Sequence, residues 1–293
     1  MDFRALGLGL AFALIWSSAF TSARIIVEAA PPLMALSLRF FLSGLIGIGV
    51  AAALGQTLRL SRAQWRAVLI FGICQNALYL GLNFVAMQTV EASLAAIIAS
   101  AMPLLVAAAN WGLFQERLPP LGIAGLTAGF VGVAIIMADR FGGGADMVGV
   151  VMCFVGVVAL TAATLTVKSA ASDGGNLLMV VGLQLMVGAI ALLPPALLLE
   201  TVAVDWSWQL VAAFGYTTLM PGLAATFIWF KLVGRIGATR AATFHFLNPF
   251  FGVAIAAALL GERLTGADVL GVVIIAAGIL AVQLARVRPV REA

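Results

Sequence analysis

Charge is scarce in this sequence: only 10% of its 293 residues are Asp, Glu, Lys or Arg, where a soluble domain carries about 25%. With 63% of the residues hydrophobic, an ordinary water-soluble fold is excluded. Histidine occurs once, at His245, so a two-histidine zinc site and the metalloprotease helix built on it are absent, and neither metal nor cofactor is expected. Lysine occurs twice, at Lys168 and Lys231. Neither follows a glycine-rich phosphate loop, so the chain does not hydrolyse ATP by itself. The two cysteines, Cys74 and Cys153, lie in apolar runs and make no disulfide framework. The net charge of +4 is spread singly over loops rather than gathered on one face, so nucleic acid is not an expected partner.

What the chain does have is long apolar runs. A bilayer crossing takes about 20 largely apolar residues, and ten candidates fit: 4–27, 33–54, 65–87, 92–114, 119–138, 147–168, 177–199, 208–233, 238–260 and 265–285. The first is too long for the apolar core of a signal peptide and reads as a retained helix. Breakers separate the runs, among them Pro31-Pro32, Pro119-Pro120, Gly142-Gly143-Gly144 and Asp173-Gly174-Gly175. Cytoplasmic loops retain an excess of Lys and Arg. Placing the N-terminus in the cytoplasm gives that side twelve of the sixteen, including Arg4, Arg59, Arg62, Arg66, Arg117 and Arg235. The other side receives Arg24, Arg39, Arg140 and Arg263. Both termini are therefore expected to be cytoplasmic.

The halves resemble each other. A shift of 146 lays Ser100-Ala101-Met102-Pro103 on Phe246-Leu247-Asn248-Pro249, Glu116-Arg117-Leu118 on Glu262-Arg263-Leu264, Gly125 on Gly271 and Gly132 on Gly278. Five spans per half is an odd number, so the second copy enters the membrane upside down. The expected fold is an all-α membrane protein of ten transmembrane helices, arranged as two inverted five-helix repeats at residues 1–141 and 145–293. Many alternating-access carriers have this architecture.

Three features carry a family resemblance: Trp16-Ser17-Ser18-Ala19-Phe20 in the first helix, Leu38-Arg39-Phe40 in the second, and a mid-helix proline followed 13 residues later by Glu-Arg-Leu, which occurs twice. On these the chain resembles the EamA-type transporters of the drug/metabolite transporter superfamily, and within it bacterial exporters of aromatic and other amino acids. The resemblance implies a secondary transporter in the bacterial inner membrane. Its partners would be small molecules (amino acids and related metabolites) and the surrounding lipids, with a monomer favoured. A drug or nucleotide-sugar carrier is the alternative within the class; an intramembrane enzyme and a channel are the rivals outside it.

Polar side chains inside a membrane are costly, so those that collect on a shared face are candidate ligand contacts. Gln75, Tyr79 and Asn83 recur every four residues in the third helix, with Asn76 at the edge of that face. Such a face offers amide donors and acceptors beside an aromatic ring; interhelical hydrogen bonding is the plainer reading. His245 and Asn248 lie one turn apart in the ninth helix, where the first repeat has Ala99 and Met102. A site for an asymmetric ligand needs such a difference between the repeats. Trp16 and Ser17 in the first helix, Ser100 in the fourth and Tyr216 in the eighth complete the expected lining of a central cavity drawn from helices one, three, four, six, eight and nine.

Pro103, Pro221 and Pro249 fall within spans and are candidate hinges, since each removes a backbone donor. Every Asp and Glu lies at or near a segment end or in a tail. No buried acidic proton relay is therefore visible, and a facilitator or exchanger is favoured, with coupling through His245 left open. Arg39, about six residues into the second span, either snorkels to the headgroups or meets a carboxylate in the outward mouth; snorkelling is the favoured reading. Gly122, Gly125, Gly129 and Gly132, with Gly271 and Gly278, form small-residue seams that join the fifth and tenth helices within the molecule or to a second copy.

Overall fold

The structure, a computed structural model, describes residues 2–113, 115, 118–142, 146–167, 176–236, 241 and 243–287. Outside these residues fall Glu116-Arg117, Gly143-Gly144, Lys168, Asp173-Gly174-Gly175 and Arg240. The described residues form helices and no strand. In chain order these are α1 (Phe3–Ala29), α2 (Pro32–Ala53), α3 (Arg62–Phe71), a π-helix (Gly72–Leu80), α4 (Gly81–Ala86), α5 (Ala92–Ser100) and α6 (Met102–Gly112). There follow α7 (Pro120–Gly142), α8 (Met147–Val167), α9 (Leu177–Leu199) and α10 (Trp208–Leu219), a π-turn (Met220–Ala224), α11 (Ala225–Ile236), a 3-10 turn (Thr243–Leu247), α12 (Asn248–Leu260) and α13 (Gly266–Val287). Among the described residues, nine helical stretches are long and apolar enough to cross a membrane. Of the ninth segment, expected at 238–260, the described apolar helical stretch is Phe244–Leu260; residues 237–240 and 242 lie outside the described residues.

Exposed apolar side chains mark the lipid-facing surfaces. On α2, Leu38, Phe41, Leu42, Leu45, Ile46 and Val50 are all exposed, a stripe that water would penalise and hydrocarbon accepts.

Helix starts are satisfied by nearby or distant side chains, as the unpaired N–H groups of a first turn require. Ser61 and Gln64 form a capping box at α3. Ser207 accepts from Leu210 at the start of α10. The Glu200 carboxylate accepts from the N–H groups of Leu33 and Met34 at 2.7 and 2.8 Å, and that of Glu262 accepts from Ala92 and Ser93 at 2.8 and 2.9 Å. Both carboxylates thus complement the positive end of a helix dipole.

The chain divides into two compact units that interleave the sequence halves. One comprises Met1–Thr21, Val90–Met147 and Ala224–Ala293; the other comprises Ser22–Thr89 and Val148–Leu223. Each unit pairs equivalent spans of the two halves. In the first, a Cβ on Gly125 would meet the Gly278 carbonyl oxygen at 2.7 Å and one on Gly132 would meet that of Gly271 at 2.9 Å. Only glycines permit such an approach. The rising and falling numbers make α7 and α13 antiparallel, and they place this glycine seam inside one molecule. Likewise Ala96 lies against Gly252 while Ala92 reaches Glu262, so α5 and α12 are antiparallel. In the second unit Ser37 Oγ donates to the Ala189 carbonyl at 2.9 Å and Gly44 lies against Gly182, which makes α2 and α9 antiparallel. Antiparallel pairing of equivalent spans is what inversion of the repeat demands.

Candidate functional site

In the second unit the candidate residues centre on the third span. The face expected from four-residue spacing assumed α-helical winding, and the backbone departs from it: Gly72–Leu80 is π-helical, with bonds from i to i+5. Gln75 is half-buried. Asn76, Tyr79 and Asn83 are buried, at 1%, 4% and 1% exposure. Asn76 Nδ2 donates to the Gln184 carbonyl at 2.9 Å, the interhelical bond of the plainer reading. Asn83 Nδ2 donates to the Tyr79 carbonyl of its own span at 2.8 Å. The Asn83 amide oxygen is buried without a hydrogen-bond partner. Gly156 of α8 makes room for this amide, since a Cβ there would meet Asn83 Nδ2 at 2.9 Å. Tyr216 is half-buried on α10, and Pro221 lies in the π-turn that follows.

Backbone irregularities recur at matched places in the two halves. Carried forward by the repeat offset, the π-helix of the third span covers residues 218–226, which enclose the π-turn at Met220–Ala224 of the eighth. The restart of the fourth span at Met102 falls on the restart of the ninth at Asn248. Pro103 and Pro249 lie at these restarts. Each occupies the first turn of a new helix, where its missing N–H costs nothing. Discontinuities of this kind mark functional regions in membrane helices.

In the first unit an aromatic group surrounds the single histidine. The Phe12 ring lies 5.4 Å from His245, edge to face, and 4.8 Å from Trp229. Trp229 lies 5.3 Å from His245, and Trp16 lies 5.6 Å from Phe12. Asn248 Nδ2 contacts His245 Nδ1 at 3.0 Å. With the amide donating, Nδ1 is the acceptor and the imidazole carries its proton on Nε2. The Asn248 side-chain oxygen is buried and unpartnered. Ser17 Oγ donates to the Asn248 main-chain carbonyl at 3.2 Å and so ties α1 to the start of α12. Ser100 spends its hydroxyl on the Ala96 carbonyl, one turn back, at 2.7 Å. The sequence reading missed Phe12; its signal was the one-turn spacing to Trp16.

Arg39 contradicts the snorkelling expectation. Its side chain is 6% exposed, while its neighbour Leu38 is 50% exposed to the lipid-facing side. The guanidinium carbon lies 5.1 Å from the Phe40 ring centroid, and Nε has no hydrogen-bond partner. A separate open cleft of about 470 Å³ in this unit is lined by Glu28, Pro31, Val85, Gln88, Glu200 and Asp205. None of the expected site residues lines it. Two of its carboxylates are engaged, Glu28 with Arg24 at 2.6 Å and Glu200 at the start of α2.

The EamA-like transporter family profile matches twice, over residues 3–138 and 147–284. The chain belongs to that family. This EamA-like transporter is 27% identical over 272 residues to the uncharacterized transporter YvbV of Bacillus subtilis (strain 168), covering 92% of this chain and 88% of that protein. It is 27% identical over 285 residues to the uncharacterized inner membrane transporter YedA of Escherichia coli (strain K12), with the same coverage. A protein of the same strain named as a probable amino-acid metabolite efflux pump is 26% identical over 290 residues, covering 93% of this chain and 92% of its own. One solved crystal structure superposes on 99% of this chain and 100% of its own, with a TM-score of 0.69 at 20% identity. That likeness speaks for the fold alone.

Proposed function

We propose that this EamA-like transporter exports amino acids, aromatic ones among them, and related small metabolites across the bacterial inner membrane by alternating access. The observation that carries this reading is a pair of buried amide oxygens, on Asn83 and Asn248, that no described residue serves. An orphaned acceptor in a membrane protein costs about 1–3 kcal/mol, and a substrate ammonium or ring N–H would satisfy it. Each lies beside an aromatic surface: Tyr79 in one unit, and Phe12, Trp16 and Trp229 with His245 in the other. The relative named as a probable amino-acid metabolite efflux pump, which matches nearly the full chain, supports the substrate class.

In this reading Trp16, Ser17, Gln75, Asn76, Tyr79, Asn83, Ser100, Tyr216, His245 and Asn248 form or support the substrate contacts. Pro103, Pro221 and Pro249 serve as hinges at the matched discontinuities, and residues 1–141 and 145–293 are the two repeats. Both termini are cytoplasmic, as the loop charges favour. Asp and Glu are confined to span ends, which favours facilitated export or exchange down the substrate gradient. The glycine seam is already occupied within one chain, which favours a monomer.

A competition panel in proteoliposomes tests the proposal. Unlabelled amino acids are expected to suppress uptake of labelled phenylalanine, while nucleotide sugars and cationic drugs leave it unchanged; the reverse ranking would refute the amino-acid assignment.

A further inference from the structure

We infer that Arg39 is a binding residue for the carboxylate of the transported molecule. The inference rests on the export reading and narrows it to substrates that carry a carboxylate. Three observations point to it. First, the guanidinium is removed from lipid as well as water: Leu38 and Leu42 on the same helix are exposed, while Arg39 is buried. Ser43, one turn further along the same face, donates to the Thr218 carbonyl of α10 at 3.0 Å, so this face turns toward protein.

Second, no acidic residue among the described residues of the unit is available to pair with it. The described carboxylates there are Glu28, Glu200 and Asp205. Glu28 accepts from Arg24, Glu200 accepts from the first N–H groups of α2, and Asp205 is exposed. Third, the guanidinium Nε is buried and unpartnered. The other buried charged side chain among the described residues, Asp268, caps α13 through Thr265. Arg39 has no comparable task.

Arginine stays charged in any protein setting, and its planar fork matches a carboxylate with two parallel hydrogen bonds. A buried cation without a counter-charge is strongly unfavourable. Its retention is accounted for if the missing anion arrives with the substrate. The ammonium of the same amino acid would then be served by an acceptor of this unit such as the orphaned Asn83 amide oxygen, so the polar inventory suits a zwitterion.

The test uses labelled L-phenylalanine with two competitors, 3-phenylpropionate, which keeps the carboxylate alone, and phenethylamine, which keeps the amine alone. In wild-type proteoliposomes 3-phenylpropionate is expected to compete and phenethylamine to compete far less. In Arg39→Met the affinity for phenylalanine is expected to fall about 10- to 100-fold and competition by 3-phenylpropionate to vanish. Ligand-free Arg39→Met, in detergent without anionic lipid, is expected to melt at or above the wild type, because an unpaired buried charge has been removed. Unchanged affinity and competitor ranking in Arg39→Met would overturn the inference and leave the export reading standing. A melting temperature below the wild type would also overturn it, by showing the guanidinium to be structurally paired. Should wild type move no phenylalanine, the export reading fails for that substrate, and thermal stabilisation by 3-phenylpropionate decides the site. Stabilisation of wild type but not of Arg39→Met supports the inference; stabilisation of neither overturns it. Arg39→Lys, which keeps the charge and loses the fork, guards against a variant that fails to fold and is expected to weaken 3-phenylpropionate competition without lowering the melting temperature.

Discussion

Replacing Gly278 with alanine tests the pairing of equivalent spans at its tightest point. The new Cβ would lie 2.6 Å from the Gly125 carbonyl oxygen, 2.7 Å from Gly129 N and 2.9 Å from Gly129 Cα. All three atoms are backbone, so no side chain can rotate away, and ordinary contact begins only at 3.4 Å. Helices α7 and α13 must therefore separate along a seam that is close again at Gly132 and Gly271. Overpacking of this kind costs about 1–3 kcal/mol. The control is Gly7→Ala, where nothing lies within 4 Å of the added atom and where helix propensity favours alanine by up to about 1 kcal/mol. Unfolding of the purified protein by SDS in mixed micelles, followed by tryptophan fluorescence, reads both variants on one scale. Gly278→Ala is expected to be less stable than wild type by that amount and Gly7→Ala to match or exceed wild type. Equal stability of the two variants would refute the close antiparallel seam.

Asn76 and Asn83 should separate structure from transport: Asn76→Ala loses the bond to Gln184 and about 0.6–2 kcal/mol of stability, with substrate ranking retained. Asn83→Leu, which removes the orphaned oxygen, should reduce transport of amino acids at unchanged protein yield. At the surface, hydrogen bonds from the Arg235 side chain and from the Ala5 N–H hold the Asp2 carboxyl below its ordinary value of 3.8. Because the folded value is the lower one, the pair's contribution is complete above about pH 4 and is lost as the pH falls through the folded value. A double-mutant cycle on Asp2→Asn and Arg235→Gln should therefore show coupling at pH 7 that shrinks at pH 3. Cysteines introduced at positions 117 and 263 should react with an impermeant maleimide from opposite faces of the membrane.

The spans were legible because each is a long apolar run ended by proline, glycine or charge, and those expected ends that lie among the described residues fall within a few residues of the observed ones. The inverted repeat was legible from paired landmarks such as Gly125 with Gly271 and Pro103 with Pro249, although which glycines touch could not be read until the helices were paired. The π-winding at Gly72–Leu80 was not legible. Apolar periodicity does not distinguish i+4 from i+5 bonding over two turns. At Pro103 and Pro249 the sequence marks the missing N–H but not the helix restart that makes its loss harmless. Arg39 was misread for a related reason: depth along the span is visible in the sequence, while the face that is covered depends on α9 and α10. His245 and Asn248 were found from their asymmetry between the repeats, but the rings of Phe12 and Trp229 that enclose the imidazole come from spans far away in the sequence.

The most direct measurement of the central claim is counterflow in proteoliposomes. Vesicles loaded with unlabelled phenylalanine and diluted into a trace of the labelled form, with no pH gradient imposed, are expected to accumulate label transiently above equilibrium. Saturation by external amino acids should accompany the overshoot, as one site served from either side demands. Label that equilibrates without overshoot and without saturation would indicate an open pore, and no entry of any amino acid above protein-free vesicles would contradict amino-acid export itself.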